Sequence, residues 1–166
     1  MQVGSVMITP QRRDPEQSYE HMEWVLSDAW VLAAARVSGS LENRAGLFDL
    51  VAACDAVNQL IVSREDLEHA MAMLVGADLM VADEYGIAVT DAGRRIVARA
   101  GRSVVSTAAG AHRAQRGTRI EALYRLLSEI PATPVPFELD PRTYEAACLE
   151  YRHTRWNELR KTERRY

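Results

Sequence analysis

The sequence predicts a mainly α protein carrying one small β-hairpin, and two observations predict it. Three stretches with apolar residues at three- and four-residue spacing follow one another in the first half of the chain. The period then changes to two short apolar runs, 79–82 and 87–89, around Asp83, Glu84, Tyr85 and Gly86, before helical spacing resumes. With 166 residues and 48% apolar content the chain can bury a core without covalent staples, and it fits one domain better than two.

The first helix is expected over 18–37, where Trp24, Val25, Trp30, Val31, Leu32, Ala34 and Val37 recur at mixed spacings. Ser27 and Asp28 offer a restart, so one long helix and two abutting ones are both open, and Gly39 ends the segment. A short extended piece around Ser40 and Leu41 leads to a second helix over 46–61, whose stripe of Leu47, Leu50, Val51, Cys54, Val57 and Ile61 keeps the 3.6 period. The third helix is announced by chemistry as well. The Ser63 hydroxyl can accept from the Asp66 N–H while the Asp66 carboxylate reaches back, with Val62 and Leu67 at the staple positions. Leu67, Ala70, Met71, Leu74 and Val75 supply its buried face, and Gly76 weakens it near its end.

The runs 79–82 and 87–89 then read as a hairpin closed by a glycine-containing turn. Thr90 caps a further helix, with Gly93 tolerated in its first turn at modest cost. Two helices, 91–105 and 111–130, are expected on either side of Thr107, Ala108, Ala109 and Gly110, the second carrying Leu123, Leu126, Leu127 and Ile130. Pro131, Pro134 and Pro136 make 131–137 a stiff extended connector. Asp140 as N-cap with Pro141 at the first helical position opens the last helix, where Tyr144, Cys148, Tyr151, Arg155 and Leu159 share a face with Trp156 beside it. Its end, 160–166, is expected to fray.

Three helices, a hairpin, then a helix opening with a capped T-x-x-G is the element order of a winged-helix domain. Residues 79–95, ending in Thr90-Asp91-Ala92-Gly93-Arg94-Arg95, resemble the wing and following turn of bacterial winged-helix regulators, where an L-T-x-x-G-R pattern is frequent. Val89 stands where that pattern has leucine, a conservative departure. The resemblance covers about 28–102. Asp28-Ala29-Trp30, Asp55-Ala56-Val57-Asn58 and Glu65-Asp66-Leu67-Glu68-His69-Ala70 resemble uncharacterised bacterial winged-helix-like proteins. Together with the order of elements the resemblance sets the expected organisation: a flexible segment over 1–17, a winged-helix domain (three helices plus a hairpin wing) over 18–105, and additional C-terminal helices over 106–166 packing on it. It implies a fold and brings no activity with it.

Charge is uneven along the chain. Between Asp14 and Gly93 fifteen acids meet only Arg36, Arg44 and Arg64, whereas 94–119 hold seven arginines and no acid. The plain expectation is that the acidic front and the arginine-bearing helices pair within the fold. Residues 1–17 hold no signal-peptide core, and no run approaches the roughly 18 apolar residues of a spanning helix, so a cytoplasmic location and no membrane partner are expected.

No catalytic, cofactor or metal constellation emerges. His21, His69, His112 and His153 are scattered, Cys54 and Cys148 have no ligand-like spacing and read as small buried residues, and the glycines form no phosphate loop. The carboxylates Glu65, Asp66 and Glu68 sit in a first helical turn, where the macrodipole favours them. An enzyme is therefore not expected.

In a winged helix the third helix enters the DNA major groove. Here its leading half carries Arg64 among Glu65, Asp66 and Glu68, and the hairpin tip adds Asp83 and Glu84, all opposed to phosphate. The expected function is a non-enzymatic regulatory or adaptor protein making protein–protein contacts, with self-association as a homodimer a second expectation. The alternative is a DNA-binding transcriptional regulator using a separate basic face. Candidate contacts are Arg64, Arg94, Arg95, Arg99 and Arg102, with Tyr144, Tyr151 and Trp156 of the last helix, a composition enriched at interface hot spots.

Overall fold

The computed structural model describes residues 22–39, 41–105 and 112–163, and it is mainly helical with a small antiparallel hairpin. The first helix, α1 (Leu26–Ser38), begins at the restart that Ser27 and Asp28 offer, with 22–25 outside it. Its start is set by Asp28. The Val25 N–H donates to Asp28 Oδ2 at 2.8 Å and the Asp28 N–H donates to the Val25 carbonyl at 3.1 Å, so Val25 is the N-cap and Asp28, in the first turn, reaches back to it. Residues 18–21 and Ser40 lie outside the described residues, as do 1–17.

Helix α2 (Leu47–Asn58) opens with the Gly46 N–H donating to Asp49 Oδ2 at 3.0 Å. It ends three residues before the expected 61 because Gln59 turns into the left-handed region at φ 60°. Helix α3 (Arg64–Gly76) has the expected cap: the Asp66 N–H donates to Ser63 Oγ at 3.0 Å, and Val62 and Leu67 are both buried as its staple. The Asp66 carboxylate reaches back to the Ser63 hydroxyl, at 2.7 Å, instead of to a backbone N–H.

Strands β1 (Met80–Asp83) and β2 (Gly86–Val89) pair antiparallel, from Met80 opposite Val89 to Asp83 opposite Gly86. The extended contribution before α2 comes from Ala45, which exchanges both backbone hydrogen bonds with Ile87 at 2.9 Å, and not from Leu41. Helix α4 (Asp91–Val105) is capped by Thr90 Oγ1, which accepts from the Gly93 N–H at 3.1 Å. Gly93 is required there, not merely tolerated: a Cβ would overlap the Leu79 carbonyl and meet Val89 at 2.7 Å. Helices α5 (His112–Ser128) and α6 (Pro141–Glu163) follow, α6 with Asp140 Oδ2 accepting from the Thr143 N–H at 2.9 Å.

Helix α1 is the axis of the core. It touches α2, α3, α4 and α5, and Ala29, Val31, Leu32 and Ala34 are fully buried among them. Each such leucine or valine contributes roughly 1.5–3 kcal/mol by leaving water. The Trp30 ring packs on α2 and donates its N–H to the Cys54 carbonyl at 2.9 Å. Burial pushes the Cys54 thiol up to about 12, so it acts as the small apolar residue expected.

The connector after α5 runs antiparallel to α3 from Gly76 to Glu68. Thr133 Oγ1 donates to the Gly76 carbonyl at 2.8 Å, the Val135 N–H to the Ala72 carbonyl at 3.1 Å, and the Leu139 N–H to Glu68 Oε1 at 2.9 Å. Gly76, expected only to weaken the helix, is what lets the connector approach: a Cβ at that position would overlap the Thr133 carbonyl. At one end of the track Trp24 donates its ring N–H to the Ile130 carbonyl at 2.8 Å, and at the other the Tyr144 hydroxyl donates to the Val62 carbonyl. Among the described residues no helix is long and apolar enough to cross a membrane.

Candidate functional site

Helix α3 presents almost nothing to solvent. Between 67 and 76 none of its residues is exposed. Leu67, Ala70, Met71 and Leu74 belong to the core, Glu68, Ala72 and Gly76 carry the connector, and His69 lies with Nε2 3.2 Å from the Glu23 carbonyl. Glu65 and Asp66 are its only exposed side chains, and both are acids. Arg64 is occupied twice, by Glu68 at 2.7 Å and by Glu65 at 3.0 Å. Glu68, expected on the open half of this helix, and His69 are therefore half-buried links to the connector and to 22–25. At the hairpin tip Asp83 is ion-paired with Arg44, and Tyr85 is exposed.

A buried acid lies beside this face. Asp28 is fully buried in the first turn of α1, with its Oδ1 unpartnered and its Oδ2 3.7 Å from His69 Nε2. Burial raises its pKa from 3.8 to about 6, against the lowering effects of the Val25 N–H and His69, with Asp66 adding to the rise.

On the opposite side of α1 the surface is open. A cleft of about 1120 Å³ lies between α2 on one wall and α4 with α5 on the other, floored by Ala33 and Val37 of α1. Its walls are small and apolar, typified by Ala53 and Val57 facing Val97 and Ala98, with Leu123 at depth. Every polar side chain in the lining is an arginine: Arg36 of α1, Arg94 and Arg102 of α4, and Arg119 of α5. No acid lines it. Arg94 is held by Asp91 at 2.5 Å and the Val89 carbonyl at 3.1 Å, which accompanies a lowered Asp91 pKa caused first by that hydrogen bond. Among the described residues Arg36, Arg102 and Arg119 make no ion pair.

The structure thus separates the sequence candidates. Arg94 and Arg102 come together in the cleft, and Arg95 and Arg99 are exposed on α4 outside its lining. Arg64 sits elsewhere, neutralised. Tyr144 and Tyr151 serve the fold: Tyr151 donates its hydroxyl to Asp55 Oδ2 at 2.5 Å and lies edge-on to Phe48 at 6.3 Å, and Arg155 meets the same carboxylate oxygen at 2.7 Å. Trp156, one turn on, is 62% exposed. The expected pairing of the acidic front with the arginine helices is not what neutralises the described α4 and α5 arginines. Among described side chains they make one ion pair, Arg94 with Asp91 of its own helix, while Asp55 of the acidic front pairs with Arg155 of α6. Arg113 and Arg116 lie among the side chains not described.

Sequence reasoning missed Arg36 and Arg119 as site residues. Arg36 was one isolated cation in an acidic segment, and only the packing of α1 against α4 and α5 joins it to the others. Among the described residues no group of three or more His, Cys, Asp or Glu side chains could hold a metal ion. Comparison with protein-family models, with curated proteins and with solved structures finds no match to this chain.

Proposed function

We propose that this chain is a non-enzymatic regulatory or adaptor protein on a winged-helix scaffold, which binds protein through the cleft across α1 and does not read DNA with α3. The observation that carries the proposal is the contrast within the lining: an apolar floor with four arginines and no acid, set against a third helix whose exposed residues are Glu65 and Asp66. An apolar centre with an arginine-bearing rim is the anatomy of a protein interface. Single-stranded nucleic acid is a poorer fit, because such grooves stack bases on aromatic rings and this lining contains none.

The second reading, a transcriptional regulator using α4, is favoured by the exposed Arg95 and Arg99, which make no ion pair among the described residues. An anisotropy titration with random-sequence duplex DNA at two salt concentrations separates the two. The adaptor reading expects a Kd no tighter than about 10⁻⁶ to 10⁻⁴ M at physiological salt, the range of nonspecific phosphate contacts. Sequence-selective binding tighter than about 10⁻⁸ M, lost on Arg95→Ala with Arg99→Ala, would overturn it in favour of the regulator.

A further inference from the structure

We infer that the occupant of the cleft is an acidic amphipathic helix from a partner protein, an inference that rests on the adaptor reading above. The argument begins with what the cleft lacks. Its walls are helices whose backbone groups are already bonded to each other, and its only polar side chains are arginines, three of them exposed at the rim. An extended peptide laid there would bury N–H groups for which the lining offers no acceptor. A helix satisfies its own backbone and can lie in an apolar trough. A small ligand would need polar groups placed in the depth of the pocket to orient it, and the depth here is Ala33, Ala53, Ala100 and Leu123.

Size and relief agree. A helix about 10 Å across fills roughly 420 Å³ per turn, so the 1120 Å³ cleft accommodates between two and three turns. The alanines and Gly101 along the walls keep the surface low, which lets an incoming helix axis come within the roughly 8–10 Å of ordinary helix packing. Charge then selects the partner. Arg36, Arg102 and Arg119 stand around the trough with no ion pair among the described residues, and no acid in the lining competes for them. A helix with apolar residues at i, i+3 or i+4, and i+7, flanked by Asp and Glu, would bury its apolar stripe on the floor and place its carboxylates against these guanidinium groups.

The test uses the full chain against a phage-displayed library of random peptides about sixteen residues long, enough for about four helical turns. Enriched peptides should carry acidic residues around an apolar stripe of helical period. Made synthetically, they should gain helicity on binding and lose about tenfold or more in affinity to Arg102→Glu with Arg119→Glu, and to Ala98→Trp, which obstructs the trough. These positions are exposed, and circular dichroism and melting confirm that each variant is folded. Extended or basic consensus sequences, or no enrichment, overturn the inference. Peptides whose binding survives both variants overturn it while leaving the adaptor reading standing, since the partner then docks elsewhere. No enrichment together with tight, sequence-selective DNA binding removes both. Sedimentation should show a monomer at micromolar concentration, and a dimer dissociated by the arginine variants would overturn the inference by making a second copy the occupant.

Discussion

The two sides of α1 meet opposite fates. On the α3 side the chain closes over itself: the connector lies along Glu68, Ala72 and Gly76, and Trp24 is tied to Ile130. On the α2–α4–α5 side nothing described covers a trough of alanine, valine and arginine. The helices bordering the two sides are similar in length, so length does not decide the matter. The difference lies in the polar fastenings. The closed side offers a carboxylate and two helix carbonyls that accept from the connector, whereas the open side offers only donors, all on arginine, which no backbone N–H can satisfy. Among the described residues a segment of this same chain is thereby recruited to one side and none to the other.

That contrast can be broken most sharply at Trp24, which is buried and holds the closed side together. Trp24→Ala should destabilise the protein by about 4 kcal/mol, the range of large aromatic truncations in cores, read from the midpoint of urea denaturation. A change below about 1 kcal/mol would mean that the closed side is not cooperative with the core.

The next largest effect lies at Asp28. Its folded pKa of about 6 stands above its ordinary 3.8 because of burial, so between those values the folded state binds more protons than the unfolded one. Stability from this group is therefore full below about pH 4 and is lost as pH rises through about 6, by about 3 kcal/mol for a shift of some two units. Asp28→Asn, which stays neutral and can still accept from Val25, should lack that decline. A difference between the two proteins that stays constant from pH 4 to pH 7 would refute the assignment.

Ser63→Ala removes the α3 cap and should cost about 1 kcal/mol in chemical denaturation. An unchanged midpoint would show that the helix starts elsewhere. On the open side, Arg102→Ala should shift stability by no more than about 0.5 kcal/mol, as for a surface residue without a structural partner. A loss above about 1 kcal/mol would mean that this arginine belongs to the fold, and the comparison of the two sides would have to be redrawn.

What the sequence made legible follows the range of the interactions. Ser63, Thr90 and Asp140 cap their helices through partners three residues away, and the hairpin closes between neighbouring runs, so residue type and spacing were enough to read them. Of the two readings open for 18–37, the structure has a helix starting near Ser27 and Asp28; Trp24 and Val25 continue an apolar pattern although they precede it. Trp24 is buried by Ile130, far along the chain, and periodicity cannot distinguish that from burial on a helix face. Glu68 looked like a surface acid and Gly76 like a weak point for the same reason: their partners, Leu139 and Thr133, come from the connector. For the site, Arg94 and Arg102 were legible within one helix. Their assembly with Arg36 and Arg119 required the bundle.

The fastenings of the connector on the closed side, and of α6 on α2, share one more property, which bears on the order in which the molecule comes apart. They link residues separated by 57, 71, 96, 100 and 106 positions, whereas the caps and hairpin are local. Contacts that close such large loops form only after the entropy of the intervening chain has been surrendered, so they belong to the late side of the folding barrier. The connector and α6, like the α1–α5 contact, should then settle late on the rest of the fold and lift from it early. Weakening them at Trp24 or Asp55 accelerates unfolding and leaves the folding rate nearly unchanged. The third helix is thus uncovered by the same motion that begins the loss of the fold.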